Sequence, residues 1–245
     1  MNDYLRQAQS IPAGRADMAV DAGLRSFMLG VYNKMAVGLA LSGALAYGVM
    51  VVPGALELLF GTPLRWVVMF GPIAILLISG FAMKNPSPTA AGMIYWSVVS
   101  FMGLSLGGII SVYAAMPNGI LNVAKAFFTT AGAFGALSLW GYTTKKDLTG
   151  FGSFLIMGLF GLIIASVVNI FLNSGPLGFA ITLLGVGIFA GLTAYDTQRL
   201  KFQYYQLQGD ARSLAVATSY GALSLYLDFV NLFLMLLRLF GGSRN

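Results

Sequence analysis

Ser224-Leu-Tyr-Leu-Asp228-Phe-Val-Asn231-Leu-Phe-Leu-Met-Leu-Leu237 is the stretch that decides how this chain is read. It lies within an apolar run over 214–240, and about 20 such residues cross a hydrocarbon core of roughly 30 Å. A carboxylate in the middle of such a run is expensive, costing roughly 2.5–3.5 kcal/mol at the bilayer centre. Groups of this kind face a bundle interior, find partners and mark ion or proton routes. Asp228 therefore calls for a partner within the bundle.

Six further apolar windows precede that run, at 35–52, 66–83, 92–116, 126–142, 150–172 and 176–195. With 58% hydrophobic and 9% charged residues, against about 25% charged in an ordinary soluble domain, the 245-residue chain reads as a polytopic membrane protein. The fold expected is an all-α bundle of seven transmembrane helices over 27–242, preceded by a cytoplasmic N-terminal arm over 1–26. Pro53-Gly54, Asn85-Pro86-Ser87-Pro88 and Asn173-Ser-Gly-Pro176 punctuate the helix ends. Small residues at Gly103 and Gly107, and at Gly187 and Gly191, are spaced to let helix backbones approach in lipid.

The net charge of +6 belongs to the loops, so it argues for orientation and against nucleic acid as a partner. With a cytoplasmic N-terminus, the inner segments hold Arg6, Arg15, Arg25, Lys34, Lys84, Lys145, Lys146, Arg199, Lys201 and Arg212. The outer ones hold Arg65, Lys125, Arg238 and Arg244, and ten against four follows the positive-inside rule, with the C-terminus outside. There is no cysteine and no histidine, which removes thiol catalysis, disulfides, the usual zinc and copper ligands and any imidazole base. A response to pH then falls to carboxylates.

Two acidic side chains lie within or at the edge of a span: Asp228, and Asp196 in Ala194-Tyr195-Asp196-Thr197-Gln198-Arg199. On the last helix Gly221, Ser224, Asp228, Asn231 and Met235 recur every three or four residues, forming one small and polar face that turns inward. Two carboxyls in one poorly hydrated site cannot both ionise cheaply, so they share a proton near neutral pH and titrate as a unit. Two plainer readings stand beside this. Asp196 can be a solvated partner of Arg199 at i+3, and Asp228 can be a hydrogen-bond anchor to Ser166 or Asn169. Depth is the obstacle to pairing, because Asp228 lies about 20 Å along its helix from Leu214, whereas Asp196 closes its apolar run.

At these residues the chain resembles the Bax inhibitor-1 family, the group with transmembrane Bax inhibitor motifs, and most closely its bacterial YccA-like branch. Arg25-Ser-Phe-Met28 and Val31-Tyr-Asn-Lys-Met35 carry the likeness at the first span, Gly191-Leu-Thr-Ala-Tyr195-Asp196-Thr197-Gln198 at the sixth, and Ser224 to Phe233 at the seventh. The resemblance covers residues 20–242. It implies a seventh helix central among the other six and a pH-sensitive calcium leak, with Asp196 and Asp228 as the sensor. It also implies a basic latch near the end of the second span, for which this chain offers a lone Lys84 where some relatives carry an arginine cluster.

The function expected is a leak channel of the bacterial inner membrane, with calcium and protons as its ions, the lipid bilayer as its surroundings and no cofactor. Transient calcium near Asp228 would be held by carboxylates, hydroxyls and carbonyls weakly enough to leave. The alternative is a regulator without transport that restrains a membrane-bound quality-control protease through residues 1–26, a role the resemblance also implies. No enzyme is expected. A two-aspartate membrane protease needs Gly-x-Gly-Asp, and Leu225-Tyr-Leu-Asp228 stands there instead.

Overall fold

The computed structural model describes residues 13–83 and 85–241, with side chains from residue 22 onward. Its elements are α1 (Ala13–Val51), α2 (Ala55–Phe60), α3 (Leu64–Ala82), α4 (Pro88–Ala114), α5 (Gly119–Thr143), α6 (Thr149–Leu172), α7 (Gly175–Leu207) and α8 (Ala211–Gly241). All but α2 contain a stretch long and apolar enough to cross a membrane, seven in total among the described residues.

The helices outrun the apolar windows at both polar ends. The first span begins at Ala22, thirteen residues before the window at 35, so Arg25 and Lys34 lie within the span rather than ahead of it. Helix α1 itself starts at Ala13, inside the stretch expected as an arm, while residues 1–12 lie outside the described ones. Helix α7 runs eleven residues past Asp196, through Arg199, Lys201 and Gln203, to Leu207. Protein oxygens meet the basic charges of this stretch, Asp196 and Ser224 for Arg199 and the Tyr142 carbonyl for Lys201. Asp196 therefore sits well inside a helix and not at its end.

Helix α8 is the most buried span: 56% of its apolar window is covered by protein, against 11% in α6 and 17% in α3. It packs against α1, α4, α5 and α7. Helices α3 and α6 stand one layer out, on α4 and α7 respectively. Ala222, Leu225, Tyr226, Val230, Leu232 and Leu237 of α8 are essentially sealed.

Close approach uses small residues, as lipid provides no apolar drive between helices. Gly103 meets the backbone of Ser42, and Gly107 meets Val49, which joins α4 to α1. Of the second pair only Gly191 is used in this way, against Leu155, while Gly187 faces open space. Gly185, two residues earlier, takes the close contact instead, with Met235.

Pro72 interrupts α3 and is buried. Lacking an N–H, it leaves the carbonyl of Val68 without its helical partner, a costly orphan in a membrane. Ser105 of α4 donates its hydroxyl to that carbonyl at 2.8 Å.

Candidate functional site

Helices α7 and α8 run antiparallel in a register that sets Gly221 against Leu200, Ser224 against Asp196 and Met235 against Gly185. The small and polar face of α8 thus lies along α7. Asp228 is one helical turn beyond Ser224, on the same face of α8, which sets its carboxyl beside that of Asp196. Both aspartates are 6% exposed. The length of α7 beyond Asp196 removes the depth obstacle, because it carries Asp196 to the level that Ser224 and Asp228 occupy.

Asp196 is the better satisfied of the two. Ser224 donates its hydroxyl to Asp196 Oδ2, and the Arg199 guanidinium lies 3.3 Å from Asp196 Oδ1. Arg199 also donates to Ser224 Oγ at 3.2 Å and rides over the Tyr195 ring, 5.8 Å from its centroid. The i+3 ion pair expected for Asp196 is thus present, but the aspartate that makes it is buried within α7 rather than solvated at a helix end. Asp228 Oδ2, by contrast, is buried with no hydrogen-bond partner among the described residues. The anchors considered for it are elsewhere: Ser166 bonds the carbonyl of Leu162, and Asn169 accepts from the N–H of Ser174. Helix α6, which carries both, does not pack on α8. Asn231 is on the expected face, but its amide turns back to the carbonyl of Leu227 at 2.9 Å and does not join the carboxyls. Lys84 lies outside the described residues.

Next to Asp228 along α8, Phe229 and Phe233 meet Phe127 and Phe134 of α5, with Phe134 and Phe229 edge to face at 5.5 Å. Among the described residues no three acidic side chains converge on a point that would hold a metal ion.

A family model described as inhibitor of apoptosis-promoting Bax1 matches residues 24–245. The chain belongs to the Bax inhibitor-1 family. Among curated relatives, an uncharacterized protein of Caulobacter vibrioides is 59% identical over the full length of both chains. The inner membrane protein YbhL of Escherichia coli is 42% identical, over 94% of this chain and 98% of its own. The uncharacterized protein RP147 of Rickettsia prowazekii is 40% identical, over 92% and 93%.

Around the carboxyl pair, this Bax inhibitor-1 family chain uses residues that composition does not flag. Gln198, two residues beyond Asp196 and 3% exposed, accepts from the N–H of Leu148 at 2.8 Å and donates to the carbonyl of Lys146 at 2.8 Å. Lys201 donates to the carbonyl of Tyr142 at 3.1 Å. The connection between α5 and α6 is thereby strapped to the turn of α7 that bears Asp196. A glutamine beside charged residues at the end of an apolar run gives no sequence sign of this.

A second polar cluster binds α8 to α1 and α4. Lys34 Nζ donates to Ser219 Oγ at 2.7 Å over the Tyr95 ring, and Tyr95 donates to the Lys34 carbonyl at 2.7 Å. Ser42 and Tyr226 share a 2.6 Å hydrogen bond. Outside the spans, Asp210 caps α8. The Ser213 hydroxyl and N–H and the Arg212 N–H hold its carboxyl below the usual carboxylate range. Thr149 does the same for Asp147 at the start of α6.

Proposed function

We propose that this Bax inhibitor-1 family protein is a pH-sensitive calcium leak of the bacterial inner membrane, gated by the carboxyl pair Asp196 and Asp228. The observation that carries this reading is the shared niche of the two carboxyls, with Ser224 and Arg199 on Asp196 and one oxygen of Asp228 unpartnered. One proton between the carboxyls satisfies that oxygen, whereas two bare carboxylates repel at such range. Loss of the proton then pushes α7 and α8 apart at the level of the pair.

Calcium enters this reading as cargo. Carboxylate and hydroxyl oxygens suit a hard cation, and a site with only two acids releases it again. The phenylalanines beside Asp228 close the path while the pair is protonated, as an apolar constriction does by excluding water. The reading includes a cytoplasmic N-terminus, an outer C-terminus and no enzymatic step. Restraint of a membrane-bound protease would act through residues 1–26, of which 1–12 lie outside the described residues.

Calcium flux into liposomes, followed from pH 6 to pH 8, tests the proposal. Asp228→Asn and Asp196→Asn are each expected to flatten the pH response. Flux of unchanged amplitude and pH dependence in both variants would remove the mechanism.

A further inference from the structure

The wall of the bundle is open on one side. Helices α1 and α5 both pack on α8, yet their backbones nowhere come within 8 Å of each other among the described residues. The seam between them holds a cavity of about 470 Å³, walled by Met28, Leu29 and Tyr32 of α1 and by Phe134, Gly135 and Leu139 of α5. A second cavity of about 350 Å³ lies further along the same two helices, with Phe229 and Phe233 of α8 among its walls.

Two polar features interrupt the first cavity's apolar lining. Arg25 stands in its wall, exposed and with no hydrogen bond or ion pair among the described residues. Ser138 also lines it, 5% exposed, with its hydroxyl bonded to nothing among the described residues. That hydroxyl is about 8 Å inside the end of α5 at Thr143. Phe134 lies one further turn in. Within one cavity the order is thus a cation, a free hydroxyl and an apolar slot.

A membrane phospholipid presents the matching order: a phosphate, an ester carbonyl that accepts a hydrogen bond, and an acyl chain. We infer that the α1–α5 seam binds one acyl chain of an anionic phospholipid, with its phosphate on Arg25 and an ester carbonyl on Ser138. Basic pockets between transmembrane helices recognise lipid headgroups in this manner. The site also touches the carboxyl niche, because Tyr32 in its wall shares a 3.4 Å hydrogen bond with Thr197, the residue after Asp196.

The experiment uses the purified full chain, titrated with phosphatidylglycerol or phosphatidylcholine of identical acyl chains, with bound lipid counted by native mass spectrometry. Phosphatidylglycerol is expected to bind more tightly. Arg25→Gln lowers its affinity by about five-fold, the effect of one basic residue near an anionic surface, and brings it level with phosphatidylcholine. Gly135→Leu weakens both lipids. A Cβ there meets no protein atom within 4 Å, so the added side chain fills the slot rather than disturbing the fold. Gly187→Leu, equally open but on α7, leaves both lipids unchanged. The inference is overturned if Arg25→Gln keeps the full preference for phosphatidylglycerol. It is equally overturned if a folded Gly135→Leu, judged by an unchanged melting temperature, binds both lipids as the parent does.

Discussion

Ser224 of α8 donates its hydroxyl to Asp196 of α7 one turn before Asp228, so a single serine sets the register at which the two carboxyls meet. A neutral donor of this kind is worth about 1 kcal/mol, or somewhat more when the acceptor is charged. Ser224→Ala is therefore expected to move the pH midpoint of calcium flux by roughly half to one pH unit. Asn231→Ala, whose amide is tied to its own helix, should leave the midpoint alone. Flux titrations of the two variants side by side separate them.

Gln198 strands two backbone groups of the α5–α6 connection when it is removed, namely the Leu148 N–H and the Lys146 carbonyl. Gln198→Ala should cost about 1–3 kcal/mol and loosen that connection. Trypsin, acting at Lys145 and Lys146, reports it as faster cleavage in a chain whose helix content by circular dichroism is unchanged.

Gly141 presses on the backbone of Ala194, two residues before Asp196. Any side chain there must move one helix against the other, so Gly141→Ala is expected to cost about 1–3 kcal/mol, read as a lower melting temperature.

These three positions also mark what sequence shows and hides. Apolar windows located every span, and the three-to-four spacing from Gly221 to Met235 located the face of α8 that meets α7. Windows register only apolarity, however, and so cut α7 at Tyr195, where Arg199, Lys201 and Gln203 begin a helical stretch in the more polar zone. The same bias placed Lys34 outside the membrane, although its charge is met by Ser219 and the Tyr95 ring. The roles of Gln198 and Ser105 depend on partners more than thirty residues away, and no local pattern reveals them.

Ser105→Ala leaves the Val68 carbonyl orphaned by Pro72, and should destabilise the chain by about 1–3 kcal/mol. Replacing Pro72 by Ala in the same chain restores the helical N–H and should recover most of the loss, which thermal unfolding of the single and double variants measures.

Asp210 makes the stability depend on acid. Its carboxyl is held below the usual carboxylate range by Ser213, so its contribution is full above the ordinary value of about 4 and is lost as the pH falls through the lowered one. Asp210→Asn should narrow the difference between melting temperatures at pH 7 and pH 3.

The length of α7 has a kinetic consequence. Its 33 residues span about 50 Å, whereas some 20 of them, from Gly175 to about Tyr195, exhaust a hydrocarbon core of roughly 30 Å. Asp196 then sits at the boundary of the oily layer, with Asp228 a single turn deeper. On the proposed function, a proton entering at that boundary has no more than one helical turn to travel, so helix rearrangement rather than proton delivery would set the rate of the pH response.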